Sequence, residues 1–151
     1  MKSLIGEIED CVMCGVSNFA QIATNYGSDI ITMTTLTFYL NLNEGFNLFT
    51  SCCSYLNSRN GIFLIGIEID WGKNTYTSDG YQKRFDNVIK RIPFSYTDEK
   101  NNPLNLSKYF PQINTYLMLG KDVLAIEVKQ VPEHMRNIRY NGRSYNLESI
   151  T

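Results

Sequence analysis

A nearly continuous apolar run in the middle of the chain constrains the fold more than any other feature. Residues 62–69 read IFLIGIEI, and a run of that kind predicts a strand that is covered on both faces. Gly66 inside the run indicates a β-bulge or a close backbone approach. Asn60-Gly61 precedes the run and favours the end of a helix, because both residues tolerate positive φ. The sequence therefore predicts a helix that ends at a glycine and is followed by a buried strand.

Helical periodicity flanks this strand on both sides. Residues 44–58 predict a helix with Asn43 as its N-cap, and its apolar stripe consists of Phe46, Phe49, Cys53 and Leu56. Residues 79–92 predict a second helix, which begins at an Asp79 N-cap with Gln82 as capping-box partner and ends before Pro93. A weaker helical pattern covers residues 3–23.

The remaining segments predict strands and hairpins. Residues 29–41 are rich in β-branched and aromatic side chains and predict one long strand or a bent pair. Residues 113–119 and 122–131 predict strands joined by Gly120-Lys121, the pattern of a type II′ hairpin, and Asn141-Gly142 predicts a type I′ hairpin. Residues 95–111 predict an exposed loop. Together these segments indicate an α+β fold, in which two helices pack on a mostly antiparallel sheet.

Composition places the chain among globular proteins. Its 151 residues, 43% hydrophobic and 19% charged, suit one domain with a real core. No apolar run reaches the ~20 residues of a membrane span, and three early acids, Glu7, Glu9 and Asp10, interrupt the region where a secretion signal needs an apolar core. We therefore expect a cytoplasmic protein with no membrane partner, whose four cysteines are thiols rather than disulfides.

Charge is distributed unevenly along the chain. Residues 1–75 carry a net charge of −4 and residues 76–151 a net charge of +3, so an anionic partner would meet the second half. Basic and aromatic side chains interleave there, a pattern that is typical of surfaces that neutralise phosphates and stack bases. The same pattern fits an ordinary exposed hairpin. The candidate RNA-binding residues are Lys129, Arg136, Arg139, Tyr140, Arg143 and Tyr145.

Two carboxylates lie on the central strand. Glu68 and Asp70 alternate with apolar residues, so both point to one side. Such a pair can bind Mg²⁺ or divide acid and base roles, and Asp29 is a candidate third acid. We favour the plainer interpretation, a solvent-facing strand end. The sequence contains no Gly-rich phosphate loop, no G-x-S-x-G elbow and no H-E-x-x-H.

The cysteines offer a second candidate site. Cys11 and Cys14 have the spacing of half a zinc knuckle or of a redox pair. Cys52 and Cys53 would have to complete a zinc site, but adjacent residues on a helix point about 100° apart. His134 is the single histidine and would be the sole base for a Cys–His pair. We favour structural thiols, with no metal and no cofactor.

Several segments, taken in order, resemble the first lobe of the cores of Schlafen proteins and their AlbA-like relatives. The run SYLNSRNGIFLIGIEI at residues 54–69 is similar to a family segment of helix, Gly-Gly and apolar strand, although Asn60-Gly61 stands here for Gly-Gly. The other matching pieces are Thr24-Asn25-Tyr26, residues 74–80, the hairpin YLMLGKDVLAIEVKQ and the segment 139–145. The resemblance covers residues 24–151, whereas residues 1–23 match poorly and predict a helix or a linker.

The resemblance implies a binding lobe rather than an enzyme. Schlafen cores consist of two related lobes that clasp tRNA or other structured RNA, and the catalytic carboxylates of the RNase members lie in the second lobe. We expect that lobe, and any catalytic residue, to be absent here. The short form most resembles the Schlafen-like proteins of orthopoxviruses, some of which follow a cyclic GMP-AMP nuclease called poxin.

The function implied is that of a viral host-interaction or immune-modulating protein, or of a truncated relic, in the host-cell cytoplasm. Its partner would be structured RNA or a host Schlafen, and self-association through the face that a second lobe would cover is expected. Two alternatives stay open. One is a small metal-dependent ribonuclease that uses Glu68 and Asp70, and the other is a pure protein-interaction module.

Overall fold

The computed structural model describes residues 4–15, 17–34 and 48–147. The helices are α1 (Leu4–Cys14), α2 (Phe19–Thr24), α3 (Leu48–Ser58) and α4 (Asp86–Lys90), and 3₁₀ turns occupy Lys83–Phe85, Ile92–Phe94, Ser107–Tyr109 and Glu133–Met135. The strands are β1 (Asp29–Met33), β2 (Gly61–Ile65), β3 (Ile67–Asp70), β4 (Thr75–Ser78), β5 (Gln112–Met118), β6 (Lys121–Val128), β7 (Arg139–Tyr140) and β8 (Arg143–Ser144).

Six of these strands form one sheet, in the order β4-β3-β1-β2-β6-β5, and β7 and β8 pair with each other. The strands β1 and β2 pair in parallel, whereas the other neighbouring pairs of the sheet are antiparallel. The predicted α+β fold with a mostly antiparallel sheet is therefore confirmed. No helix within the described residues has the length and apolar character that a bilayer span requires.

The sheet separates two apolar cores, because side chains of a strand alternate between its faces. Phe63 and Ile65 of β2 join the core beneath α3 and α4, while Leu64 joins the core beneath α1 and α2. Helices therefore cover both faces of the sheet. The segment predicted as a helix or a linker is helical in two pieces, with Gly15 at φ +63 between them.

The predicted single strand over residues 62–69 is wrong. β2 and β3 lie on opposite sides of β1, with Met33 opposite Ile65 in one pair and Ile67 in the other. Gly66 carries the chain across the end of β1 at φ +110 and donates its N–H to the Met33 carbonyl at 2.9 Å. A Cβ on Gly66 would lie 2.6 Å from the Tyr81 nitrogen, so the predicted close backbone approach is confirmed.

The helix predicted over residues 79–92 begins later than expected. Residues 75–78 form β4 against β3. The Gly80 and Tyr81 amides then donate to the Gly66 and Asp122 carbonyls, and Gly80 has φ +81, so no helix begins at the predicted Asp79 cap. Gln82 is the N-cap of the first 3₁₀ turn, and α4 begins at Asp86.

The two hairpins differ in how well their turns could be predicted. Leu119 and Gly120 are the loop residues between β5 and β6, with Met118 opposite Lys121 and φ +53 and +79. This is the geometry of a type I′ turn, so the predicted type II′ turn around Gly120-Lys121 is wrong. The register of β5 and β6 is fixed by the buried residues of β6, and this register places the turn one residue earlier in the chain. Asn141 and Gly142 have φ +52 and +79, so the predicted type I′ turn is confirmed.

Two further predictions are confirmed in part. The strand predicted over residues 29–41 is present at Asp29–Met33, and the helix predicted over residues 44–58 is present at Leu48–Ser58. Residues 35–47, including the Asn43 cap, lie outside the described residues. The loop predicted over residues 95–111 is exposed at residues 99–103 but buries Tyr96, Leu106 and Phe110 in the core beneath α3.

Candidate nucleic-acid interface

The predicted basic and aromatic residues differ in what they contact. Tyr140 stacks on Phe49, with ring centroids 5.4 Å apart and an angle of 21° between planes, and lies 5.9 Å from Tyr96. Tyr145 packs, half-buried, against the same core, and its carbonyl accepts a hydrogen bond from the Asn57 amide. Both rings therefore pack against the protein core, whereas the sequence predicted that they face solvent and stack on bases.

The basic members of the set differ in exposure and in place. Arg136 and Arg143 are exposed, while Arg139 is half-buried, exchanges backbone hydrogen bonds with Thr97 at 2.9 Å, and has a buried Nε without a hydrogen-bond partner. Lys129 follows β6 and lies beside a cleft on the α1 face of the sheet. Of the six candidates, Arg136 and Arg143 thus keep solvent-exposed charges near the β7–β8 hairpin.

A denser group of cations lies on the segment that contains α4, and its members were not among the predicted residues. Lys83, Arg84, Lys90 and Arg91 fall within nine residues and are all exposed. We call these four residues the cationic face. The opposite side of the segment is buried in the core beneath α3 through Phe85, Ile89 and Ile92. Two Lys-Arg pairs seven residues apart, beside an apolar stripe, are the signal that would have found it.

Local contacts hold the cationic face in place. The Arg84 guanidinium lies 4.9 Å from the centre of the Phe85 ring, and the Arg91 Nε donates to the Asn87 carbonyl at 3.2 Å. Asp86, the one acid within the segment, accepts a hydrogen bond from the Tyr81 hydroxyl at 2.7 Å. Burial, followed by this carboxylate, raises the pKa of Tyr81, so the hydroxyl stays a donor. With four cations and one acid, residues 83–91 carry a net charge of +3.

The acidic candidates lie elsewhere. Glu68 and Asp70 are exposed on β3, opposite Thr77 and Thr75 of β4, at a shallow depression. The Asp70 carboxylate accepts from the backbone amides of Gly72 and Lys73.

Asp29, the candidate third acid, is engaged in other contacts. Its carboxylate accepts from the Arg59 Nε at 2.7 Å and from the Tyr55 hydroxyl at 3.1 Å. Burial and the nearby Asp29 raise the pKa of Tyr55 to about 12, so this hydroxyl is a donor at neutral pH. Within residues 4–15, 17–34 and 48–147, no three His, Cys, Asp or Glu side chains gather in a way that could hold a metal ion.

The cysteines lie on opposite sides of the sheet. Cys11 belongs to the core beneath α1, whereas Cys52 and Cys53 belong to the core beneath α3, so the two pairs cannot share a metal ion. All four are free thiols, and Cys14 is exposed. Burial raises the pKa of Cys53 to about 11. His134 is exposed on the turn Glu133–Met135.

No protein-family model matches this chain, and no curated protein does. A solved structure does: the solution NMR structure of the N-terminal domain of a protein from Nitrosomonas europaea, whose name relates it to the ATP-dependent DNA helicase RecG. The match has a TM-score of 0.50 at 14% sequence identity and covers 100% of this chain and 92% of that domain. At this identity the likeness concerns the fold alone, and this chain therefore has the α+β fold of that N-terminal domain.

Proposed function

We propose that this chain is a Schlafen-like lobe that binds structured RNA through the phosphate backbone. The cationic face is the observation that carries the proposal. It presents four exposed cations within nine residues, and the one acid of the segment is engaged with Tyr81. Lysine and arginine side chains that neutralise phosphates release condensed counterions, and this release supplies most of the sequence-independent affinity for nucleic acids.

Two lines of similarity support the choice of partner. The order of motifs over residues 24–151 resembles the first lobe of Schlafen cores, which clasp tRNA or other structured RNA. The name of the structurally similar protein refers to a DNA helicase, which is consistent with a nucleic-acid partner in a broader sense. The finer proposal, a Schlafen-like protein of viral origin that acts on host RNA or a host Schlafen in the cytoplasm, rests on the motif order.

The proposal is tested by tRNA binding as a function of salt, measured by fluorescence anisotropy. Four phosphate contacts give a slope of log K against log salt of roughly −3, at about 0.7–0.9 per contact. Replacing two cations, in a Lys90→Gln and Arg91→Gln variant, is expected to reduce the slope by about 1.5. Both side chains are exposed, so the fold is expected to tolerate the change.

A matched control removes the same charge from the same half of the chain. Lys100 and Lys108 are also exposed, and a Lys100→Gln and Lys108→Gln variant is expected to keep the slope of the unmodified protein. Equal losses in the two variants, or no tRNA binding at about 25 mM salt, would refute the proposal. In the second case a pure protein-interaction module becomes the better explanation.

A metal-dependent ribonuclease is the second candidate. Glu68 and Asp70 share one side of β3, and both are exposed at the β3–β4 depression. Metal-assisted hydrolysis needs such carboxylates to hold Mg²⁺ or Mn²⁺. Cleavage of tRNA by the purified protein with either ion, lost on Glu68→Ala, would establish this activity. The binding function predicts intact tRNA after the same incubation.

A further inference from the structure

A cleft of about 400 Å³ opens between α1, the loop at residues 26–28 and the adjacent face of the sheet. This volume lies at the lower end of the range of small-molecule sites, about 300–1,000 Å³. Its floor is apolar and its walls include two tyrosine rings, while one end is polar. The floor is lined by Ile62, Leu64 and Ala125, and the walls by Tyr26 and Tyr116. The polar end is lined by Asn60, Gln112, Glu127 and Lys129.

A small residue stands at the floor of the cleft, on the strand next to the edge strand β5. Ala125 of β6 lies between Leu64 of β2 and Asn114 of β5, and it is 4% exposed. Directly paired residues place their side chains on the same face. A larger side chain at position 125 would therefore fill the floor of the cleft.

Polar groups converge on one end of the floor. Gln112 and Glu127 are directly paired across β5 and β6, so their amide and carboxylate groups stand side by side at the cleft. Lys129 is two residues beyond Glu127 and is exposed. From Ala125 to Lys129 the chain spans about 13–14 Å if extended. An apolar floor, hydrogen-bonding groups and an ammonium group therefore follow one another along β6 and the residue after it.

The Tyr26 ring of this wall is positioned by its surroundings. Tyr26 packs against the core beneath α1 and α2, and burial, followed by the nearby Glu7 carboxylate, raises the pKa of Tyr26 to about 12. The hydroxyl therefore stays protonated at neutral pH. The Glu7 Oε2 is buried without a hydrogen-bond partner. Packing thus sets the position of the Tyr26 ring before any ligand enters.

We infer that this cleft binds a single nucleotide, with the base over Ala125 against the tyrosine rings, the ribose hydroxyls at Gln112 and Glu127, and the phosphate at Lys129. Aromatic rings stack on any base because every base has a π-face. The three parts of the cleft match the base, the sugar and the phosphate in that order. The nucleotide is either a free nucleoside monophosphate or an unpaired nucleotide of a bound RNA, and the second source rests on the proposed function.

Isothermal titration calorimetry of the full chain with AMP, GMP, CMP and UMP tests the inference. At least one of these is expected to bind tenfold more tightly than ribose 5-phosphate or inorganic phosphate, because only a nucleotide occupies the apolar floor. Ala125→Leu is expected to weaken that binding at least tenfold. Lys129→Met is expected to weaken nucleotide binding about tenfold while leaving binding of the matching nucleoside unchanged.

The two sources and the two proposals are separable. The Lys90→Gln and Arg91→Gln variant is expected to bind nucleotides normally, whatever it does to tRNA. If Ala125→Leu also weakens tRNA binding, the nucleotide comes from the RNA, and if tRNA binding is unchanged, the free nucleotide is the ligand. Gln112→Ala, a half-buried change on the edge strand β5, replaces Ala125→Leu should the latter not fold. No nucleotide binding at millimolar concentration would overturn the inference. Normal nucleotide binding by both Ala125→Leu and Gln112→Ala would also overturn it.

Discussion

Gly66→Ala is expected to destabilise the protein strongly, because the position has room for a hydrogen atom and not for a methyl group. Gly66 has φ +110, a conformation that residues with a Cβ rarely adopt. Its Cβ would lie 2.6 Å from the Tyr81 nitrogen and 2.8 Å from the Asp122 oxygen. These two atoms form a hydrogen bond of 2.7 Å, so the methyl group would push apart the contact that ties residue 81 to β6.

The expected magnitude has two parts. Holding a non-glycine residue in a sparsely populated backbone region costs about 1–3 kcal/mol. Separating a buried donor from its acceptor costs about 1–3 kcal/mol more, since neither group gains another partner. The free energy of unfolding is therefore expected to fall by about 2–6 kcal/mol, which is a large part of the about 5–15 kcal/mol typical of a domain.

Urea unfolding measures this change, followed by the fluorescence of the single Trp71 and by circular dichroism. Gly120→Ala is the matched control, because Gly120 has φ +79 but no atom lies within 4 Å of the place that a Cβ would occupy. Backbone strain alone is expected to cost this variant about 1–2 kcal/mol. The reasoning is refuted if the two variants lose the same free energy of unfolding to within about 1 kcal/mol.

Three further predictions concern the α3 face and the thiols. Asn57→Ala is expected to lower the free energy of unfolding by about 2–4 kcal/mol, because the buried side-chain amide forms hydrogen bonds with both the N–H and the carbonyl of Ile138. A loss below about 1 kcal/mol in urea unfolding would contradict this. Ellman's reagent is expected to react rapidly with one thiol of the native protein, the exposed Cys14, and with four after unfolding; a Cys14→Ser variant that still shows a rapid thiol would count against the structure. Burial raises the pKa of Cys53 to about 11 from an ordinary value of 9.0, so folding favours the neutral thiol. The stability that the neutral thiol contributes is complete below pH 9 and is lost as pH rises through 11. The Tm is therefore expected to fall over this pH range, and a Tm that rises there would refute the direction of the effect.

Individual segments show what could be predicted of the fold. The helix α3, the apolar strand β2 and the Asn141-Gly142 turn depend on residues close in sequence, and each is present. The break at Gly66 could not be placed, because it depends on where the chain must cross the end of β1. The same holds for the late start of α4, which depends on the hydrogen bond between Tyr81 and the distant Asp122.

The candidate site was predictable in its charge but not in its position. The excess of cations in the second half of the chain is visible in the sequence. Tyr140 reads as an exposed hairpin residue until its contact with Phe49, 91 positions earlier, is known. The cationic face, by contrast, is exposed because the other side of its segment buries Phe85, Ile89 and Ile92.

By itself, the sequence determined the α+β content, the buried strand β2, the charge asymmetry and the type I′ turn at Asn141-Gly142. Propensity, periodicity and turn chemistry act over a few residues, so they can be read locally. Only the tertiary structure decided which strands pair, that helices cover both faces of the sheet, and that Ala125 opens a cleft beside Lys129. Those outcomes depend on the register between segments far apart in the chain, and register is set by which side chains find a partner across the sheet.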